Sequence, residues 1–382
     1  MGISTDGPPD ELARTRELVL TYGWNTTVYQ ILNPGMTRWF APPDGADGAG
    51  PRDPDAVVAF RRYHRVRVVA GAPVCAAGRL AAVAAAFERE AQAQRQRVCY
   101  FGAEQRLEAV YAGAPDHAMV LLGAQPVWDP RAWPAIVRAH ASLRAQLHRA
   151  RNKGVAAVEW PRERAHANPA LRRLLREWLA TRGLPPLHFL VEPETLERLF
   201  DRRVFVAERG AAGEPVAFVV VSPVPERGGW LVEQFVRGRA APNGTIELLI
   251  DAAMRAVAAD GATYVTLGLA PLSARAGRFD PIDPPWLRLV LLWVRAHGRR
   301  FYNFEGLEAF KAKLRPAAWE PVFAIVDRPR FAPGDLWAIA GVFGAGSPVV
   351  LVLRAVARAA VTELGWLARR LARGLVFRRN PR

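Results

Sequence analysis

Hydrophobic and polar positions follow two rhythms along this chain, and the order of the rhythms recurs. Residues 11–21 carry apolar side chains at helical spacing, "AVVAFRRYHRVRVVAG" (56–71) alternates with period two about a basic turn, and 79–97 is again helical before the apolar run "VCYFGA". Residues 131–155 read as one long basic helix ending at Gly154. The pattern then restarts: a helix over 168–182, strands in "RVFVAERGAAGEPVAFVVVSPV" and "GGWLVEQFV", the loop "RGRAAPNGT", a helix over 245–259 and a strand "YVTLGLA". Strands and helices in this alternation predict an α/β (α+β) fold. The recurrence suggests two copies of one unit, 1–130 and 156–330, joined by the basic helix 131–155, with 331–382 left as a tail.

That tail has its own character. Leu336 to Leu353 are 18 residues without a charge, interrupted by Gly341, Gly344, Gly346 and Pro348, which is borderline for a spanning helix of roughly 20 apolar residues. Beyond it, arginines interleave with apolar residues against the single acid Glu363. Two readings stand: amphipathic helices lying in an anionic membrane interface, or a helix pair packed on the second unit.

Composition narrows the functional classes. A chain of 382 residues exceeds one ordinary core, and 52 Lys+Arg against 36 Asp+Glu give a net charge of +16. Such a field favours polyanions, nucleic acid or an anionic membrane, the alternative source of the excess being a GC-rich genome that uses Arg in place of Lys. Cys75 and Cys99 sit in apolar runs and predict buried thiols, with neither a disulfide framework nor zinc spacing. Seven scattered histidines form no constellation, no Walker loop or Ser-His-Asp order occurs, and neither a metal nor a cofactor is expected. The opening "MGISTDGPPD" has no secretory pattern.

Several motifs, taken together, point to a family. "RAAPNGTIELLI" (239–250), "VTLGLAPLS" (265–273) and "FYNFEGLEAFKAKLRPAAWEPVFAI" (301–325), with "YGWNTTVYQIL" and "SLRAQLHRARNKG" before them, resemble the catalytic domain of bacterial phosphatidylglycerol lysyltransferases, the multiple-peptide-resistance aminoacyltransferases. The resemblance covers about 20–330. It implies tandem GNAT-like domains that take an aminoacyl group from aminoacyl-tRNA and esterify the glycerol of phosphatidylglycerol, a modification tied to resistance against cationic antimicrobial peptides. Lacking the family's transmembrane flippase, the chain is expected to be cytoplasmic and peripheral on the inner face of the cell membrane. Three stretches depart from the family pattern: Gly71-Ala72-Pro73 and Gly123-Ala124-Gln125 lack its acids, and in "VEQFVRG" (232–238) Glu233 is the only acid and Arg237 the nearest base. They open the alternatives of another donor or acceptor, such as a peptide amine or an amino-acid-containing lipid, or of a non-catalytic lipid- or RNA-binding protein.

Ester transfer needs a proton acceptor and a stabilised oxyanion. Glu233 and Glu247 are the candidate carboxylates, against the alternatives of a solvent-facing strand position and a helix-dipole partner. The loop with Pro242, Asn243 and Gly244 is poor in the glycines that CoA binding uses. It could hold a phosphate beside Arg237, or be only a turn and cap. In the last motif Leu307, Phe310, Lys311 and Leu314 share one helical face, while Lys313 points away as a solvated charge. Lys311 on an apolar face calls for a carboxylate, a phosphate or a route to water. The resemblance favours a catalytic, anion-contacting Lys311, with Arg315 as neighbour and Glu320 as possible partner, and substrate contacts from Tyr302 and Asn303. Arg144, Arg149, Arg151 and Lys153 of the basic helix are the candidate tRNA contacts, or else a solvated face.

Overall fold

The computed structural model describes residues 9–41, 55–181, 187–277, 284–297 and 304–344. The first unit runs α1 (Pro9–Tyr22), β1 (Thr37–Phe40), β2 (Val57–Tyr63), β3 (Val66–Ala70), α2 (Leu80–Ala93), β4 (Arg97–Ala103), α3 (Gln105–Tyr111) and β5 (Ala118–Trp128). The basic segment is α4 (Trp133–Ala139) and α5 (Ala141–Asn152). Next come β6 (Val155–Trp160), α6 (Arg162–Ala165), α7 (Pro169–Ala180), β7 (Arg203–Arg209), β8 (Glu214–Val224), β9 (Gly229–Arg237), α8 (Thr245–Ala259), β10 (Tyr264–Thr266) and β11 (Ala270–Pro271). The chain continues through α9 (Pro285–His297), α10 (Phe304–Lys313), β12 (Ala318–Val326) and α11 (Pro333–Phe343).

The strands form one sheet in the order β1-β2-β3-β4-β12-β5-β10-β9-β8-β7-β6, with β11 on β5. Each half has antiparallel strands followed by a helical crossover to a parallel neighbour: β3–α2–β4 in the first, β9–α8–β10 in the second. The two halves then exchange their last strands. β5 closes the first unit yet pairs with β10, and β12 from the far end of the chain lies between β4 and β5. This exchange fuses the two units into one sheet. It also carries 318–326, which the sequence groups with the second unit, into contact with the first.

Period-two alternation in the strands feeds cores on both sheet faces. In the first half Ala59, Val68 and Cys99 pack under α1 and α11, whereas Val58, Val69 and Tyr100 pack under α2 and α3. In the second half Phe205, Ala207 and Val219 meet α5 and α8, while Val204, Val206 and Phe218 meet α7. Leu249, Ile250, Met254 and Val257 of α8 are almost fully buried, each burial being worth about 1.5–3 kcal/mol.

Two expected elements differ. The basic helix breaks at His140, whose extended backbone (φ −113°, ψ 102°) separates α4 from α5, and Arg144 donates to the Val137 and Arg138 carbonyls at the end of α4. The tail begins as core: Phe331, Ala338 and Val342 are buried with the first unit, and Gly341 lies so close to the Tyr63 ring that a Cβ would sit 2.4 Å from it. Residues 345–382, which carry the arginine-rich part of the tail, lie outside the described residues. Among the described residues no helix is long and apolar enough to cross a membrane.

Candidate active site

The site begins where a strand fails. Sequence alternation predicts one strand over 264–270, but β10 stops pairing with β9 at Thr266–Leu231 and the chain rejoins β5 only at Ala270–Ala124. Gly268 takes a left-handed φ of +69° in the gap. The close approach at the rejoining point requires Gly123, where a Cβ would lie 2.3 Å from the Ala270 oxygen. β9 runs on past Leu231, so the two strands diverge and a cleft of about 930 Å³ opens between them.

Strand divergence leaves the Gly268 and Leu269 carbonyls without ladder partners, and Lys311 supplies them. Its Nζ donates to Gly268 O at 2.7 Å and to Leu269 O at 2.8 Å. The predicted face of α10 explains the approach, because Leu314 is buried one turn on and its carbonyl accepts from Trp128 Nε1 at 3.0 Å. Lys311 is only 2 % exposed, lines the cleft, and is pushed down to about 7 by its removal from water. Burial that deep, with no carboxylate partner among the described residues, leaves an amine able to be neutral at physiological pH. The expected contact with Glu320 does not form.

Glu320 instead belongs to a cluster spanning both units. Arg227 grips it through two bonds, Nη2 to Oε1 at 2.5 Å and Nη1 to Oε2 at 2.9 Å, and also reaches Glu104 at 3.3 Å. Tyr264 OH and Gln125 Nε2 donate to Glu320 as well, and Gln125 accepts from Thr26 Oγ1 at 2.9 Å. Glu104 accepts from the backbone and hydroxyl of Thr26, and burial pushes it up to about 7. Arg227 stacks over Trp24 and Tyr264. Thr26 and Gln125 show this cluster to the cleft. Sequence reading missed Arg227 and Glu104; their signal is only spatial, since partners 93 and 123 residues apart meet here.

The other predicted residues divide by location. Glu233 is not solvent-facing: it lines the cleft, pairs with the fully buried Arg202 at 2.6 Å and accepts from Gln30. Glu247 lines it too and is paired by Lys313 Nζ at 2.5 Å, so Lys313 is a cleft residue rather than a solvated charge. Arg237 reaches Ala241 O at 2.9 Å and Asn243 Oδ1 at 3.0 Å, tying the loop before α8. Gly244 is required structurally, with φ +91° and a Cβ that would meet Gln146 O at 2.1 Å. All three of these loop residues border the cleft.

Arg315 is exposed at the end of α10 with φ +56°, away from the cleft wall. Of the basic-helix cations, Arg149 lines the cleft, Arg151 is bound to Asp251 at 3.2 Å, Arg144 closes α4, and Lys153 is exposed at the end of α5. Tyr302 and Asn303 lie outside the described residues. Cys75 and Cys99 are buried free thiols, and the described residues contain no cluster able to hold a metal.

Two crossover units sharing one sheet over a splayed-strand cleft define a tandem GNAT-like acyltransferase fold. Residues 16–326 match the family described as phosphatidylglycerol lysyltransferase, C-terminal, and the chain belongs to that family. It is 25% identical over 266 residues to the phosphatidylglycerol lysyltransferase of Bacillus subtilis (strain 168), a match covering 69% of this chain and 30% of that relative. The chain thus spans about a third of the length of that curated relative. The C-terminal domain of a putative lysylphosphatidylglycerol synthetase from Agrobacterium fabrum superposes with a TM-score of 0.70 at 20% identity, covering 88% of this chain and 98% of that one. L-PGS from Bacillus licheniformis gives 0.70 at 20% identity over 93% and 99% of the two chains. FemX gives 0.53 at 10% identity over 89% and 98%. These likenesses establish the shared fold.

Proposed function

We propose that the protein transfers an aminoacyl group from an aminoacyl-tRNA to a hydroxyl of phosphatidylglycerol or a related anionic lipid. The observation that supports this most is Lys311, a buried amine brought to about 7 in the wall of a large cleft. With two N–H groups engaged by carbonyls, the neutral amine has its lone pair left to accept the proton of a lipid hydroxyl. That hydroxyl oxygen attacks the ester carbonyl, the bond to the tRNA ribose breaks, and the proton passes from Lys311 to the departing ribose oxygen.

The rest of the cleft suits the two substrates. Leu190, Phe235, Ile246, Phe310 and Phe343 offer an apolar wall to acyl chains. Arg149, Arg237 and the start of α8 offer positive charge to a lipid or tRNA phosphate. A net charge of +16 favours peripheral residence on the anionic inner face of the cell membrane.

The test is transfer from charged tRNA to phosphatidylglycerol vesicles by the purified protein. Aminoacylated lipid that disappears when the tRNA is digested beforehand is the expected result; no lipid product from any aminoacyl-tRNA overturns the reading. Lys311→Arg, which retains donors for the two carbonyls but cannot deprotonate, is expected to lower transfer by about 100-fold or more.

A further inference from the structure

We infer that the cleft takes an aminoacyl donor whose side chain carries no positive charge, in contrast to the lysyl group that names the relatives. The inference rests on the transfer reading above. It is carried by how the acids of the cleft are committed. Among the described residues three carboxylates line it, Glu192, Glu233 and Glu247, and each is already held by a base. Glu233 is bound by Arg202 at 2.6 Å, a guanidinium with no exposed surface, and also accepts from Gln30. Glu247 is bound by Lys313 at 2.5 Å, and Glu192 by His188 Nδ1 at 2.9 Å.

Cations are in excess on the same walls. Arg149, Arg237 and Lys313 line the cleft and Arg202 backs Glu233, so four fixed cations stand against the three carboxylates without counting the Lys311 amine. Arg149 and Arg237 donate to oxygens that bear no formal charge. An incoming side-chain ammonium must therefore displace Arg202 from Glu233 or Lys313 from Glu247, compete with the His188 ring for Glu192, or stay unpaired beside like charges. Each costs free energy in a partly dry cleft. An uncharged side chain meets none of these penalties, so the built-in repulsion selects by exclusion. The donor's α-amino group is common to all aminoacyl-tRNAs and does not discriminate between them.

Competition among lysyl-, arginyl-, alanyl- and leucyl-tRNA for phosphatidylglycerol vesicles tests this. Higher kcat/KM for the uncharged donors is expected; lysyl or arginyl transfer at equal or higher kcat/KM overturns the inference while leaving the transfer reading intact. Lys313→Ala, which leaves Glu247 without its cation, is expected to raise the lysyl-to-alanyl ratio about tenfold, some 1.4 kcal/mol. Thermal-shift titration with amino-acid methylamides supplies a readout independent of turnover. If no donor yields lipid product, the transfer reading falls and the methylamides alone decide. Stabilisation by alanine or leucine methylamide beyond that by lysine methylamide supports the inference, and the reverse order or no shift with any of them overturns it.

Discussion

Lys311 Nζ lies 2.7 Å from the carbonyl oxygen of Gly268, so a side chain of α10 completes the hydrogen bonding of a strand that has left its sheet. The same divergence that creates the cleft thus fixes the amine in its wall. Opening the sheet and positioning the candidate base are one structural event.

Lys311 makes stability depend on pH. Its folded value of about 7 lies below the usual lysine value, so between the two the unfolded chain binds more protons and stability rises with pH. The melting temperature of the parent protein relative to Lys311→Met is expected to increase from pH 6 to pH 9. A difference independent of pH removes the buried, depressed amine.

Glu104 acts in the opposite sense. Burial raises it to about 7 from 4.5, so within that window the folded state binds more protons than the unfolded chain. Its contribution is complete below the unfolded value and is lost as pH rises through the folded one. Relative to Glu104→Gln, the parent is expected to lose melting temperature between pH 5 and pH 8, as calorimetry would show.

Gly244 separates structure from ligand binding in the loop before α8. Its positive φ and its contact with Gln146 O at 2.1 Å from a would-be Cβ make Gly244→Ala a strained substitution. The expected cost is about 2–4 kcal/mol by denaturant unfolding. Asn243→Ala, at an exposed position, is expected to stay within about 0.5 kcal/mol.

Arg149 and Arg151 sit two residues apart with different work. Arg149 faces the cleft, whereas Arg151 is spent on Asp251. Arg149→Ala is expected to weaken tRNA binding and reduce the slope of log affinity against log salt by about one. Arg151→Ala is expected to leave that slope unchanged.

Much of this was legible in the order of residues. Local periodicity located α8, α7, the β2–β3 hairpin and the face of α10 that buries Lys311, because spacings of 2 and 3.6 residues report which side of an element meets a core. The motifs from 239 to 325 indicated the family and the loop that borders the cleft. Charge pairing was not legible. Lys313 was expected in solvent and instead binds Glu247, 66 positions away, and Glu320 found Arg227 rather than Lys311.

The sequence by itself determined most of the elements, the alternation of strand and helix that marks the fold class, and the amine on an apolar face. Only the tertiary structure decided that β5 and β12 change places, that β9 and β10 part at Thr266, and that every described carboxylate in the cleft meets a base. The reason is physical. Helix and strand patterns are local properties, whereas strand exchange and ion pairing depend on contacts between residues far apart in the chain, for which periodicity carries no signal.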